Sequence, residues 1–371
     1  MASRSVPDWQ RVAVSVGADL ERAAVAVGRL DHAAATSRLG EAWCRRSLYR
    51  ASIECLAAEG YHFEIERLFA VTGALPVSRV KDFGADARAV AMLRRIQSTT
   101  AGIPRNVTGG GPEETDEVDA ALAGFEAVIG APALLSGVIG FRSWLLAGRG
   151  PSAAMIALPA FLTARGLLGS PLVWLSGGLR GSAENVAAYP PGAWAARALR
   201  GIGEAASAGV RDLEGLTRLW RTWHAKLGPR RRNSRLAEVV DLVIAHPIQS
   251  PRQVARVLGF SLRGAAKLLD ELRELGILVA PLSRRSWRVL VAADLAGMQE
   301  QLHQKPRSIA VPQAAPEPFP AHTLVKSAQP PAAFPEAQVS ALRAIMAESD
   351  DVVRRVTNRL AELRMTAGKP A

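Results

Sequence analysis

The sequence predicts a mainly α protein that carries a winged helix-turn-helix with a small β-hairpin wing. Three observations lead there. Outside one short segment there is no clear period-2 alternation, and apolar residues recur at helical spacing. Residues 250–290 read as helix, tight turn, helix, strand, basic tip and strand. Eight prolines then fall within residues 306–335, and a heptad-spaced apolar run follows them.

Residues 8–35 predict a first long helix, 41–72 a second helical stretch and 84–98 a third. Residues 99–112 are a loop. Its Gly109-Gly110-Gly111 run is no phosphate loop, because no Gly-Lys-Ser/Thr follows it. Pro112-Glu113-Glu114 opens another helix with acids favourably placed in its first turn. Helices follow at 131–147, 152–166, 171–180 and 192–227. The most apolar window, 153–175, is interrupted by Pro159, Arg165, Gly166, Gly169 and Pro171. A charge near the middle of a membrane span costs at least about 2.5 kcal/mol, so a buried helical hairpin is expected here rather than a span.

Ser250-Pro251 starts a helix: the hydroxyl accepts from a free first-turn amide, and proline fits a position that needs no N–H. Val254, Ala255, Val257 and Leu258 give that helix its apolar face, and Gly259 ends it. Ser261 caps a second helix over 262–275, with Ala265, Leu268, Leu269, Leu272 and Leu275 as its buried stripe. So short a turn makes the two helices cross steeply. Gly276 stops the second helix. Residues 277–279 and 287–290 then pair as a hairpin, with Arg284 and Arg285 at its tip.

Charge gives this segment a partner. Residues 228–290 hold twelve Lys or Arg against five Asp or Glu, more than half of the chain's net +12. Localised positive charge is the footprint of phosphate binding, so the expected partner is double-stranded DNA. Ser261, Arg263, Gly264, Ala266 and Lys267 lie on the exposed start of the second helix, where small residues allow close approach and Arg263 and Lys267 reach base edges or phosphates. Arg252, Arg284, Arg285 and Arg230, Arg231 and Arg232 are the candidates for anchoring the phosphate backbone. Just upstream, no acid falls between Glu214 and Glu238, and Leu216, Leu219, Trp220 and Trp223 are core candidates on a helix whose arginines face out. A small helical core with ordinary solvated charges remains the plainer alternative.

The rest of the sequence excludes more than it assigns. Two cysteines, Cys44 and Cys55, form no disulfide framework, and the six histidines are scattered without metal-ligand spacing. No metal, cofactor or catalytic residue is expected, and no Ser-His-Asp elbow or Walker motif occurs. The first residues lack the apolar core of a signal peptide, so the expected location is the cytoplasm, without a membrane. The proline-rich stretch reads as an extended linker. Beyond it, Val339, Leu342, Met346, Ser349, Val353, Val356, Leu360 and Leu363 form a heptad seam broken at Ser349, which fits a homodimer through this C-terminal helix. The domain boundaries that follow are 1–227 for a helical body, 228–295 for the winged helix, 296–335 for the linker and 336–366 for the last helix.

Two stretches of the body resemble the Fic family, whose active members transfer AMP to protein hydroxyls. Residues 166–176, Gly-Leu-Leu-Gly-Ser-Pro-Leu-Val-Trp-Leu-Ser, resemble the segment after the catalytic helix. Cys55-Leu-Ala-Ala-Glu59-Gly60 resembles the inhibitory Ser-x-x-x-Glu-Gly element, with Cys in place of Ser. The resemblance implies a Fic-like helical bundle for residues 1–227. It also implies a His-Pro-Phe-x-Asp-Gly-Asn-Gly-Arg run starting near Trp144, where the chain has Trp144-Leu-Leu-Ala-Gly-Arg-Gly-Pro-Ser152. No His is there to take a proton and no carboxylate to hold magnesium; Arg149 and the glycines keep only an anion-cradling capacity. The order of elements is most similar to an uncharacterised bacterial family that pairs a degenerate Fic-like domain with a C-terminal helix-turn-helix. The expectation is therefore a sequence-specific DNA-binding regulator with a catalytically degenerate body for scaffolding, partner binding or sensing. An AMP-transferring enzyme or its remnant, and a protein–protein adaptor, are the alternatives.

Overall fold

The computed structural model describes residues 9–73, 83–100, 112–128, 130–184, 186–229, 234–280 and 289–295. Among them the chain is mainly helical, with twelve α-helices and one sheet of three short strands. The expected wing tip with Arg284 and Arg285, the run Arg230–Arg232, the Gly109–Gly111 loop, the proline-rich stretch and the heptad segment lie outside the described residues.

Two long helices frame the body. α1 (Trp9–Thr36) buries Val12, Val16, Ala23, Val27 and Leu30, a stripe with helical rhythm, against α9 (Pro191–Lys226). α9 answers with Trp194, Ala198, Ile202, Ala206, Leu213 and Leu216. α2 (Gly40–Ala58) runs through the middle and packs on α4 (Phe83–Thr100) and α7 (Pro151–Ala164). α5 (Pro112–Glu126) covers α6 (Ala133–Leu146) and α7. α6 and α7 form a hairpin buried along most of its length, with Arg165 left exposed at its far end. The apolar window is thus core, and among the described residues no helix is long and apolar enough to cross a membrane.

The structure corrects two helical expectations. The stretch 41–72 is two helices, α2 and α3 (Ile65–Thr72), because Gly60 has φ +85° and turns the chain out of the helix. The stretch 171–180 is a 3₁₀ turn over Val173–Leu179 followed by the single-turn α8 (Arg180–Ala183). Packing explains the second change. A Cβ on Gly201 of α9 would stand 2.2 Å from the Gly178 carbonyl oxygen, so two glycines let the turn lie directly on the helix backbone.

After α9 the order is α10 (Leu236–Ala245), β1 (Ile248–Gln249), α11 (Pro251–Leu258), α12 (Leu262–Glu274), β2 (Leu278–Val279) and β3 (Leu290–Ala292). The strands are antiparallel in the order β1–β3–β2, with Ile248 opposite Val291 and Leu278 opposite Ala292. Among the described residues β2 pairs with 291–292, whereas the sequence places the hairpin partner at 287–290, of which 287 and 288 lie outside the described residues. Val291 and Ala292 are fully buried, and register follows the side chains that must be covered. β1 is an addition: two residues are too few to leave an alternation.

The apolar interior continues across the boundary that the sequence places at 227/228. Val239, Val240, Val243 and Ile244 of α10 belong to the same core as Trp43, Leu213 and Trp223 of the body. A second small cluster joins Phe69 and Ala70 of α3 to Val291, flanked by Ile248 and Val279. The sheet thus rests on α3, whose Phe69 stacks on Tyr49 of α2 with ring centroids 4.1 Å apart.

Candidate nucleic-acid interface

The α11–turn–α12 unit is built by short-range rules. The Ser250 hydroxyl accepts from the Gln253 N–H at 3.2 Å, and Pro251 sits at the first helical position. Gly259 adopts φ +69°, a conformation only glycine takes cheaply, and the Phe260 N–H returns to the Ala255 carbonyl at 2.9 Å. The Ser261 hydroxyl accepts from the Gly264 N–H at 3.1 Å and so caps α12. Ser250→Ala is expected to cost about 1 kcal/mol, read as a lower urea midpoint with an unchanged slope.

The predicted site residues separate clearly. Arg263 and Lys267 are exposed on one face of α12, and Arg252 is exposed on α11. Ser261 is exposed, but its oxygen is engaged in the cap. Gly264 and Ala266 are half-buried rather than open, and the N–H of Gly264 is already used. Ala265, Leu269 and Leu272 are buried as expected, while Leu268 and Leu275 are only half-buried. Arg235, part of the upstream basic run, is turned to local work: its guanidinium lies 4.4 Å from the Phe260 ring and bonds Glu238 at 2.8 Å.

α12 is electrically asymmetric. Arg263 and Lys267 stand in its first half, at the end where the helix dipole is positive. Asp270, Glu271 and Glu274 stand in its second half, where Asp270 pairs with Arg273 at 3.4 Å. Only the N-terminal half suits a polyanion. The opposite end is tied to the body, because the Lys226 ammonium of α9 donates to the Gly276 carbonyl at 3.4 Å, next to a glycine φ of +64°.

Two polar clamps hold this unit on the body, and the sequence carries no local signal of either. On one side Asp241 of α10 accepts from Trp220 Nε1 at 2.7 Å and His224 Nε2 at 2.9 Å, both on α9. Arg38 approaches the same carboxylate at 3.6 Å and lies over the Trp220 ring. Trp223 and Leu216 are buried as expected, whereas Leu219 and Trp220 are half-buried. On the other side Arg45 Nη1 donates to His246 Nε2 at 2.8 Å. Arg46 donates to the Ile244 carbonyl at 2.8 Å and to Asp294 at 2.5 Å. Burial, with Arg45 and Arg46 nearby, pushes the His246 pKa down to about 3, so the imidazole is neutral and its Nε2 accepts the hydrogen bond from Arg45.

In the body, the run Trp144–Ser152 closes the turn between α6 and α7. Trp144 is buried and its Nε1 donates to the Gly150 carbonyl at 2.7 Å, while the Arg149 guanidinium lies 4.4 Å from its ring centre. Glu59, at the end of α2, bonds the Ser152 hydroxyl at the start of α7. Burial pushes the Cys44 thiol up to about 11 and that of Cys55 higher still, so neither is a reactive thiolate at neutral pH. Among the described residues no group of His, Cys, Asp and Glu is placed to hold a metal ion. No protein-family model matches the chain, and no curated protein matches it.

Proposed function

We propose that this protein binds double-stranded DNA through residues 228–295, acting as a winged helix-turn-helix, and that it regulates transcription. One observation carries this reading: a capped helix, α12, presents an exposed Arg263 and Lys267 at its positive end while its acidic end is tied back to the body. The order helix–strand–helix–helix–strand–strand, with the sheet arranged β1–β3–β2, supports it. α12 would enter the major groove by its N-terminal residues. Arg252 would meet phosphates beside it, with Arg230 to Arg232, Arg284 and Arg285 as further backbone contacts. A homodimer through 336–366 would present two such helices to two half-sites.

The test is selection of duplex sites from a random library, followed by affinity measurements at several salt concentrations. Arg263→Ala is expected to weaken the selected site by about 1–3 kcal/mol and to relax preference at one position. Arg252→Ala should weaken all duplexes alike and reduce the salt slope by about one. Equal losses on selected and random DNA for both variants would remove Arg263 from base reading. Affinity no better than about 10⁻⁴–10⁻⁶ M for every duplex would favour the adaptor alternative.

A second reading concerns the body. The contact between Glu59 and Ser152 joins the two runs compared above with the Fic family, Cys55–Gly60 and Trp144–Ser152. It favours a Fic-like remnant in which Glu59, at the end of α2, sets its carboxylate against the N-terminus of α7, a place that suits an acid. With Trp144 where a general base would stand, the remnant serves as a scaffold or sensor. Transfer of label from ATP to proteins of an extract, abolished by Arg149→Ala, would replace the remnant with an enzyme.

A further inference from the structure

We infer that Leu262 reads a thymine methyl group in the major groove, beside the base contacted by Arg263; this rests on the DNA-binding function proposed above. Leu262 is 54% exposed, and every other leucine among the described residues is buried or half-buried. It opens α12 directly after the Ser261 cap, at the end of the helix that carries Arg263 and Lys267. At 100° per residue, Leu262 and Ala266 fall on one flank of the strip formed by Arg263 and Lys267. An apolar edge thus borders a basic one, where the helix is most positive. A protein partner would be expected to meet a wider apolar patch, but the neighbouring exposed positions here are Ser261, Arg263 and Lys267. The thymine methyl is the one apolar group on the base edges of the major groove, and it lies next to hydrogen-bonding atoms that suit an arginine or lysine. Leu262 and a neighbouring cation therefore match a thymine adjoining a guanine.

The experiment uses the full chain and a duplex selected from a random library. Each thymine in turn is replaced by deoxyuridine, which lacks only the methyl group. Losing one buried methyl contact, worth about 0.8 kcal/mol, should weaken wild-type binding about fourfold at one thymine position. Leu262→Ala, a change at an exposed position, should bind the thymine and uracil duplexes equally while keeping the preference that depends on Arg263. Wild-type binding indifferent to uracil at every position would overturn the assignment, as would a Leu262→Ala variant that keeps the methyl preference. Failure to select any duplex would instead overturn DNA binding itself and the Leu262 assignment with it, a result distinguishable from either of these.

Discussion

Trp43→Ala is expected to lower stability by about 3–5 kcal/mol, the range for removing a large buried aromatic side chain. Trp43 is fully buried on α2, at the point where α2, α9 and the 3₁₀ turn meet. Its ring lies 5.5 Å from that of Trp174 in the turn, and its Nε1 donates to Asp212 of α9 at 2.9 Å. Asp212 is exposed, so its carboxylate recovers water when the indole is removed. The cost is therefore mostly cavity and lost packing, not an orphaned charge. Against a typical total of about 5–15 kcal/mol, the loss takes a large share of the fold's margin. Urea unfolding followed by circular dichroism reads it, and Trp43→Phe should lose less because a ring remains. A Trp43→Ala loss below about 1 kcal/mol would show that the three elements are not held together at this residue.

What could be read in the sequence follows the range of the interactions involved. The caps at Ser250 and Ser261, the glycine turn at Gly259 and the stripe Ala265–Leu269–Leu272 are local, and their spacing states them outright. The long helices α1 and α9 announce themselves in the same way. At Gly60 the apolar spacing continues across the glycine, and only the backbone angle reveals the break. The clamps leave no local trace at all. Arg45 and His246 are 201 residues apart, and Trp220 and Asp241 are 21 apart on different helices. Each looks like an ordinary polar residue on a helix until the helices are placed. Core continuity across residue 227 is equally silent in the sequence. The composition shift marks where charge changes, but the core continues beneath it through α10. Leu262 carries no periodic signal as one apolar residue at a helix start; its exposure is what singles it out.

Acidification should destabilise the fold through His246. The His246 backbone N–H caps the end of α10, and its imidazole is buried and accepts a hydrogen bond from Arg45, an arrangement that fits only the neutral ring. Its folded pKa is about 3 against an ordinary 6.5. The unfolded chain therefore binds a proton below pH 6.5 that the folded chain refuses, and stability falls as pH drops through the window from 6.5 to about 3. At about 1.36 kcal/mol per unit, this residue alone removes roughly 2 kcal/mol by pH 5, and none above pH 7. His246→Gln keeps an acceptor for Arg45 without a titrating group, so the variant should lose correspondingly less between pH 7.5 and 5. Urea unfolding of both proteins at the two pH values isolates the difference, since all other titrating groups are shared. Because α10 meets Arg45 and Arg46 of α2 at this point, the same proton should loosen the seat of the α11–α12 unit. Protease sensitivity around residues 246–250 should then rise at pH 5 in the wild type and not in His246→Gln. Identical pH slopes for the two proteins would show that His246 is not held neutral at this junction.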